Sequence, residues 1–480
     1  MTPRGDVRLN GGERTASLTR MRNGGISFWH RQIGIAPPRE PLDASRTADV
    51  AIAGGGYTGL WTAYYLKRAR PELEIVVLER EFCGFGASGR NGGWVSSAFA
   101  GSREKMAQTH GRDRVIALQR QMQAAVDEVL AVARDEQIDA DLIKPGMLRV
   151  ARGMAQLKRL RRQVAEDRAW DLGEDDVRLL DMAETERRIH VAGASGAELN
   201  PHCARSHPGK LVTGLARVVE GLGVKLYEDT TVTSIEPGIA RTDRGDVRAG
   251  TVLACLEGFT SSLPSHRRSV LPLNSAMVVT DPLPDEIWDE IGWHGCELLG
   301  DGAHAYMYAQ RTADGRIALG GRGVPYRFGS RTDNWGATQP ATIEQLVGIL
   351  HSMFPQTRDV GIDQAWCGVL GVRRDWTPAI GYDPGSGLGG AGGYVGNGVA
   401  LANLAGRTLR DLVLGEQTEL TSLPFVNHHG RNWEPEPLRF LGTQLVYSLY
   451  RAADRHEHSH GEARDSPLAH AASLIAGRRH

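Results

Sequence analysis

The stretch VAIAGGGYTGLWTAYYLKRARPELEIVVLER, residues 50–80, decides how the rest of the chain is read. ADVAIAG, residues 48–54, is a continuous apolar run and reads as a strand buried on both faces. Gly59–Arg70 reads as a helix ended by Pro71, and LEIVVLE as a second strand, so about thirty residues make one βαβ unit. Gly54, Gly56 and Gly59 form GxGxxG where the first strand meets the helix. The first glycine permits the tight turn, the second lets backbone approach a pyrophosphate, and the third lets the helix pack on the strand. The helix N-terminus, with Tyr57 and Thr58 in its first turn, then offers free N–H groups and a partial positive charge to phosphate. Glu79, at the end of the second strand, can accept hydrogen bonds from ribose hydroxyls and repels a 2′-phosphate. The motif, in this setting, is a dinucleotide site.

The chain has 480 residues, more than one hydrophobic core usually holds, so two domains or one domain with a large insertion are expected. A formal net charge of -1 leaves no bulk field to recruit nucleic acid or an anionic membrane, so neither is an expected partner. The five cysteines, Cys83, Cys203, Cys255, Cys296 and Cys367, have no CxxC spacing, which fits a reducing compartment and predicts no metal site. The first thirty residues lack a signal-peptide apolar run, and no segment has the length of a membrane span. A cytoplasmic protein is expected.

Along the chain, 1–45 reads as an irregular leader in which Phe28 and Trp29 can anchor onto the body. Segments 46–103, 191–265 and 365–416 read as one discontinuous nucleotide-binding domain. Segment 104–190 is charged and helix-periodic, and 266–364 contains AMVVTDP, AYMYAQR and RIALGG, whose alternation suits an antiparallel sheet. Together these two make a second, substrate domain. Residues 417–455 read as a capping segment and 456–480 as a disordered, His- and Arg-rich tail. The fold class is α/β, or α+β overall, with a Rossmann domain interleaved with an antiparallel-sheet domain.

After the second strand comes EFCGFGASGRNGG, residues 81–93, a small-residue run able to wrap an extended cofactor. With VLACLEGFTSSLP (252–264), DGRIALGG (314–321) and WCGVLGVRRDWTPAIG (366–381) following in order, the chain resembles the glutathione-reductase-type FAD proteins. Within them it is similar to the FAD-dependent amine oxidoreductases of the D-amino-acid oxidase, glycine oxidase and sarcosine oxidase superfamily. The branch containing gamma-glutamylputrescine oxidoreductase shares the GASGRNGG loop and a GVALxxLAGR helix, here Gly398–Arg407. The resemblance implies FAD as cofactor and oxidation of the C–N bond of an amine or amino-acid-like molecule by hydride transfer to flavin N5. Oxygen or another acceptor would reoxidise the flavin, in a monomer or homodimer.

It also implies site residues. Arg80 joins Glu79 at the end of the second strand. Gly86, Ala87, Ser88, Arg90, Asn91, Gly92 and Gly93 would line the isoalloxazine, and Val232 would give a backbone contact to the adenine. Gly371 lies in the run that ends near the flavin. Gly396, Asn397 and Gly398, with Val399 and Ala400, would begin a helix aimed at the flavin's pyrimidine end, where reduction places negative charge. Trp94, Tyr306 and Tyr308 are candidates for packing around an amine, or are core aromatics.

Three departures stand against the resemblance. Leu370 occupies the position of the arginine that holds a substrate carboxylate in glycine oxidase-like members, leaving Arg373 and Arg374 as either a displaced anchor or solvated charges. Ala318 aligns with a lysine that assists oxygen in sarcosine-type oxidases, and no lysine follows Lys225. The positions used for covalent attachment match Arg90 and Gly368, beside Cys367, so FAD is expected to bind noncovalently. No catalytic base is nominated, and His207 reads as structural. The alternatives are an NAD(P)H-dependent flavin monooxygenase and a non-enzymatic flavoprotein scaffold.

Overall fold

The structure is a computed structural model that describes residues 21–321, 325–332, 335–460 and 466–477. The leader's first twenty residues and positions 461–465 and 478–480 of the expected tail lie outside the described residues. The helices used below are α1 (Phe28–Ile33), α2 (Tyr57–Ala69), α3 (Arg112–Asp135), α4 (Pro208–Gly221), α5 (Gly398–Leu414), α6 (Leu438–His460) and α7 (Pro467–Ala476).

Two sheets organise the molecule. In the smaller one, Arg46–Ala53 runs parallel to Ile75–Leu78 on one side and to Asp246–Ala254 on the other. Lys225–Tyr227 extends it beyond Ile75–Leu78. The register pairs Val50 with Ile75 and Ala53 with Leu78, so both strands end level and the GxGxxG turn emerges at their carboxyl ends. Near those carboxyl ends the strands are apolar on both faces: Val50, Ile52, Ile75, Val77 and Leu253 pack under α2, α4 and α5, and Ala51, Val76, Leu78 and Val252 pack with Leu42, Tyr227 and Val247 on the other side.

The larger sheet has nine strands among the described residues. Its centre is antiparallel: Leu271–Thr280 lies between Ile362–Val372 and Ile317–Gly321, and Met307–Arg311 follows. AMVVTDP, AYMYAQR and RIALGG thus contribute adjacent antiparallel strands.

Several segments lie elsewhere than their expected division. Gly196–Asn200 and positions 365–372 of the strand Ile362–Val372, assigned from sequence to the nucleotide-binding pieces, belong to the larger sheet. Helix α3, assigned to the substrate domain, buries Val115, Leu118, Met122, Val126 and Val129 in one core with Leu60, Trp61, Leu211 and Leu404. Its apolar stripe repeats every three to four residues, which identifies a helix but not the surface that receives it.

Residues 21–45 are also more ordered than an irregular leader. Arg22–Asn23 pairs with Gln364–Ala365, and Phe28 and Trp29 are each 1% exposed in α1. At the other end, α6 continues past residue 455 and α7 occupies the expected disordered tail. Ala469 and Ala472 of α7 pack on Tyr450 and Ala453 of α6, an apolar contact concealed by the His- and Arg-rich flanks. No helix among the described residues is long and apolar enough to cross a membrane.

Candidate functional site

A cavity of about 790 Å³ is lined by both sheets, by α2 and α5, and by the C-terminal helices. Its glycines show why side chains are excluded. Gly54 has φ +108°, and a Cβ there would lie 2.4 Å from the Cys255 carbonyl oxygen. Gly56 lines the cavity and precedes α2 without giving it a side-chain cap. A Cβ on Gly59 would come 2.1 Å from the Gly54 oxygen and 3.1 Å from Ile52, so this glycine sets the helix-to-strand distance and does not itself face the cavity.

Tyr57 and Thr58 line the cavity at the start of α2. The Tyr57 N–H donates to Ser88 Oγ at 2.8 Å, and Thr58 Oγ1 lies 3.0 Å from Tyr394 Oη. Glu79 is in the wall, where Oε2 accepts from Gly55 N–H at 2.8 Å and Oε1 from Glu81 N–H at 3.1 Å. Burial pushes its carboxyl above the usual range, and these donors partly offset that. Arg80 lies over Phe259, 5.1 Å from the ring centroid, and Val232 enters the wall from the edge strand.

The loop 86–93 brings Gly86, Ala87, Ser88, Arg90, Asn91 and Gly92 to the cavity. Much of its polar capacity folds the loop itself. Asn91 donates to the Ser88 carbonyl at 2.8 Å and accepts from Gly93 N–H at 2.8 Å. The Arg90 guanidinium donates to the Phe85 carbonyl at 2.6 Å and to Cys367 at 3.3 Å, with the residue 1% exposed. Gly93 lies behind the wall at φ +72°, where a Cβ would collide with Gln310 at 2.0 Å.

Helix α1 and the larger sheet clamp this loop from behind. Trp29 Nε1 donates to the Asn91 carbonyl at 2.8 Å, Trp366 Nε1 to Arg90 at 2.9 Å, and Ser27 Oγ to Gly89 at 2.8 Å. Phe28 and Trp29 are legible in the sequence as anchors, but their target is not.

On the facing side, Gly396, Asn397, Gly398 and Val399 line the cavity where α5 begins, while Ala400 is buried behind them. Asn397 gives no side-chain cap, so this N-terminus also presents partial positive charge to the cavity. Gly371 does not line the wall. Its N–H donates at 2.7 Å to Glu257 Oε2, and Glu257 Oε1 accepts from Tyr394 N–H at 3.0 Å. Burial raises the Glu257 carboxyl to about 7 against these backbone donors, and the residue holds φ +45°. Glu257 therefore ties Ile362–Val372 to the turn before α5. Sequence reasoning missed it, although a lone acid among the apolar and small residues of VLACLEGF was a signal.

Trp94, Tyr306 and Tyr308 all line the cavity. Trp94 and Tyr308 meet edge to face at 6.1 Å, and Tyr308 Oη lies 3.1 Å from Ser275 Oγ. Burial pushes the Tyr308 phenol up to about 12. Arg373 is outside the wall: it packs along Gly393 and points a nitrogen toward the His428 carbonyl. The turn after Val372 takes it out of the cavity wall. Arg374 does line the cavity but is ion-paired to Glu434 at 3.0 Å.

Leu370 faces the cavity, and Ala318 is packed among Phe28, Trp29 and Trp366. Gly368 faces the cavity and Cys367, on the alternate face of the same strand, is in the apolar core. His207 caps α4 through Nδ1, and burial lowers it to about 4. The glycine cradle and two helix N-termini whose own N-cap residues give no side-chain bond, both at one cavity, fit a dinucleotide with its phosphates at α2.

Residues 49–412 match the family model described as FAD dependent oxidoreductase, DAO. Gamma-glutamylputrescine oxidoreductase of Escherichia coli (strain K12) is 30% identical over 430 residues, covering 87% of this chain and 95% of that protein. A protein named probable oxidoreductase OrdL from Rhizobium meliloti (strain 1021) is 31% identical, covering 83% and 90%. Among solved structures, glycine oxidase from Geobacillus kaustophilus superposes with a TM-score of 0.67 at 21% identity, covering 80% of this chain and 100% of its own, and supports the fold. A cradle built for a dinucleotide and a family match spanning both sheets lead to one conclusion: this chain belongs to the DAO family and is an FAD-dependent oxidoreductase.

Proposed function

We propose that this protein oxidises the C–N bond of an amine or amino-acid-like small molecule, with the substrate held between the loop 86–93, Trp94 and Tyr308. The observation that carries the reading is the shared cavity in which the nucleotide-type glycine turn and the aromatic side chains of the antiparallel sheet meet. Bound FAD supplies a two-electron oxidant for that bond, so that an imine forms and water releases a carbonyl product.

In this reading Gly54, Gly56 and the α2 N-terminus hold the pyrophosphate and Glu79 a ribose. Gly396–Val399 offers the positive end of α5 to negative charge in the cavity. The aromatic faces of Trp94 and Tyr308 orient the amine and exclude water around it. Glu257 is not assigned as a base, because both its oxygens accept backbone N–H bonds. A neutral amine needs none, since its own lone pair drives the oxidation. No lysine lines the cavity among the described residues, and this favours an acceptor other than oxygen.

Turnover with a panel of primary and secondary amines and an artificial electron acceptor tests the reading. Carbonyl product equal to the acceptor reduced is expected. Acceptor reduction driven by NADPH and not by any amine would overturn it in favour of a monooxygenase-like enzyme.

A further inference from the structure

The family match ends at residue 412, yet α6 and α7 lie beyond it and both reach the cavity. Leu438, Gly442, Val446 and Tyr450, spaced four residues apart, form one stripe of α6 along the wall, with Tyr447 beside them. Leu441 and Leu445 do not line the cavity and are 58% and 49% exposed. Ile475 and Ala476 of α7 complete this part of the wall, which Tyr306 and Trp376 share.

The hairpin is fixed in place. Asp454 accepts from the His304 and Ala305 N–H groups at 2.9 and 3.1 Å, and Glu457 pairs with Arg159 at 2.7 Å. The Ala476 carbonyl, at the end of α7, accepts from Trp376 Nε1 at 2.9 Å and Arg374 Nη1 at 3.2 Å. These contacts describe a wall rather than a hinged cover.

Two features say what the wall receives. The arginines of the cavity already have protein partners: Arg374 pairs with Glu434, Arg439 with Glu436, Arg80 with Glu81, and Arg90 with two carbonyls. Among the described residues of the wall, no uncommitted guanidinium is left to claim a carboxylate. Gly442 is the second feature, a glycine in mid-helix with ordinary helical φ, where an added Cβ would meet nothing within 4 Å. Glycine is a poor helix former, and no neighbour demands it here, so its consequence is open space at the wall.

We propose that the α6–α7 hairpin is the specificity wall of the substrate site, and that it selects an amine with a bulky apolar or aromatic body, seated against the α6 stripe at Gly442. This deepens the amine-oxidation reading and depends on it for the reacting group. An aromatic body would bury its faces against Tyr447, Tyr450 and Trp376, and an ammonium or amine would lie toward Trp94 and Tyr308.

The test uses the FAD-loaded protein without oxygen, titrated with methylamine, glycine, benzylamine and 2-phenylethylamine. Displacement of the flavin band gives Kd, and its bleaching gives the rate of oxidation. The aromatic amines should bind about tenfold or more tightly than methylamine or glycine. The series G442A, G442L and G442F should weaken aromatic ligands progressively, reaching about tenfold, with methylamine within about twofold. S448F, at an exposed position of the same helix turned away from the Gly442 stripe, should leave all ligands unchanged. Equal affinity for methylamine and benzylamine overturns the proposal, as does a Gly442 series that affects every ligand alike or none. Should aromatic amines bind with the expected Gly442 dependence but never bleach the flavin, the wall stands and the amine-oxidation reading fails. Bleaching by amines with no Gly442 dependence does the opposite: amine oxidation stands and the specificity wall is overturned.

Discussion

Replacing Glu257 by Gln should change how stability depends on pH, by an amount that follows from the site. The carboxyl is raised from 4.5 to about 7, first by burial, with the N–H groups of Tyr394, Gly371 and Gly393 pulling it down. Between those two values the folded protein holds a proton that the unfolded chain has released. Stability is therefore fully present below about pH 4.5, falls as pH rises toward 7, and levels off above it. At about 1.4 kcal/mol per pH unit the loss is about 3 kcal/mol, an upper bound because the carboxyl borders a cavity that admits water.

Glutamine cannot titrate. Its amide nitrogen also cannot accept one of the two backbone bonds, a fixed cost of about 1–3 kcal/mol that does not vary with pH. The difference in stability between E257Q and the parent should accordingly shift by about 3 kcal/mol in favour of the variant between pH 4.5 and 8. For a chain of this length that corresponds to about 3 °C in unfolding midpoint. Thermal unfolding of both proteins in parallel at pH 4.5, 6 and 8 reads it directly. A difference that stays flat across the range would refute the assignment of Glu257 as a buried, proton-holding tie.

Three further outcomes follow from the site. Gly59→Ala places a methyl group 2.1 Å from the Gly54 oxygen, so α2 must move; overpacking of about 1–3 kcal/mol and a preparation largely stripped of flavin are expected, and full flavin content would count against the cradle. Trp29→Ala removes a buried indole and its bond to Asn91, and should cost about 3–5 kcal/mol and speed flavin release; unchanged release despite lower stability would separate α1 from the loop it clamps. Acid precipitation should leave the flavin in solution, since Cys367 faces the core; a yellow pellet that C367A abolishes would show a covalent link.

The nucleotide half is legible because its constraints are local. Gly54 and Gly59 contact each other across five positions of sequence, and Ile75–Leu78 pairs with the strand just before the turn, so spacing alone encodes the geometry. The substrate half is assembled from residues far apart in the chain. Arg373 and Arg374 look equivalent in sequence; only the turn after Val372 decides that the second faces the cavity and that Glu434, sixty positions on, neutralises it. Amphipathic periodicity announces α3 and α6 as helices but carries no address, so the sequence does not show that α3 shares a core with α2, α4 and α5. The bonding of α7 to Arg374 and Trp376 has no counterpart in the local pattern.

The central claim, that an amine delivers electrons to FAD in this cavity, is tested most directly by one absorbance experiment. The purified yellow protein is mixed without oxygen with each member of a panel of amines and amino acids. The account predicts that the oxidised flavin band bleaches with amines, fastest with those of apolar body, and slows at low pH as the amine becomes protonated. A flavin band that no member of the panel bleaches, at any pH between about 6 and 9, would contradict it.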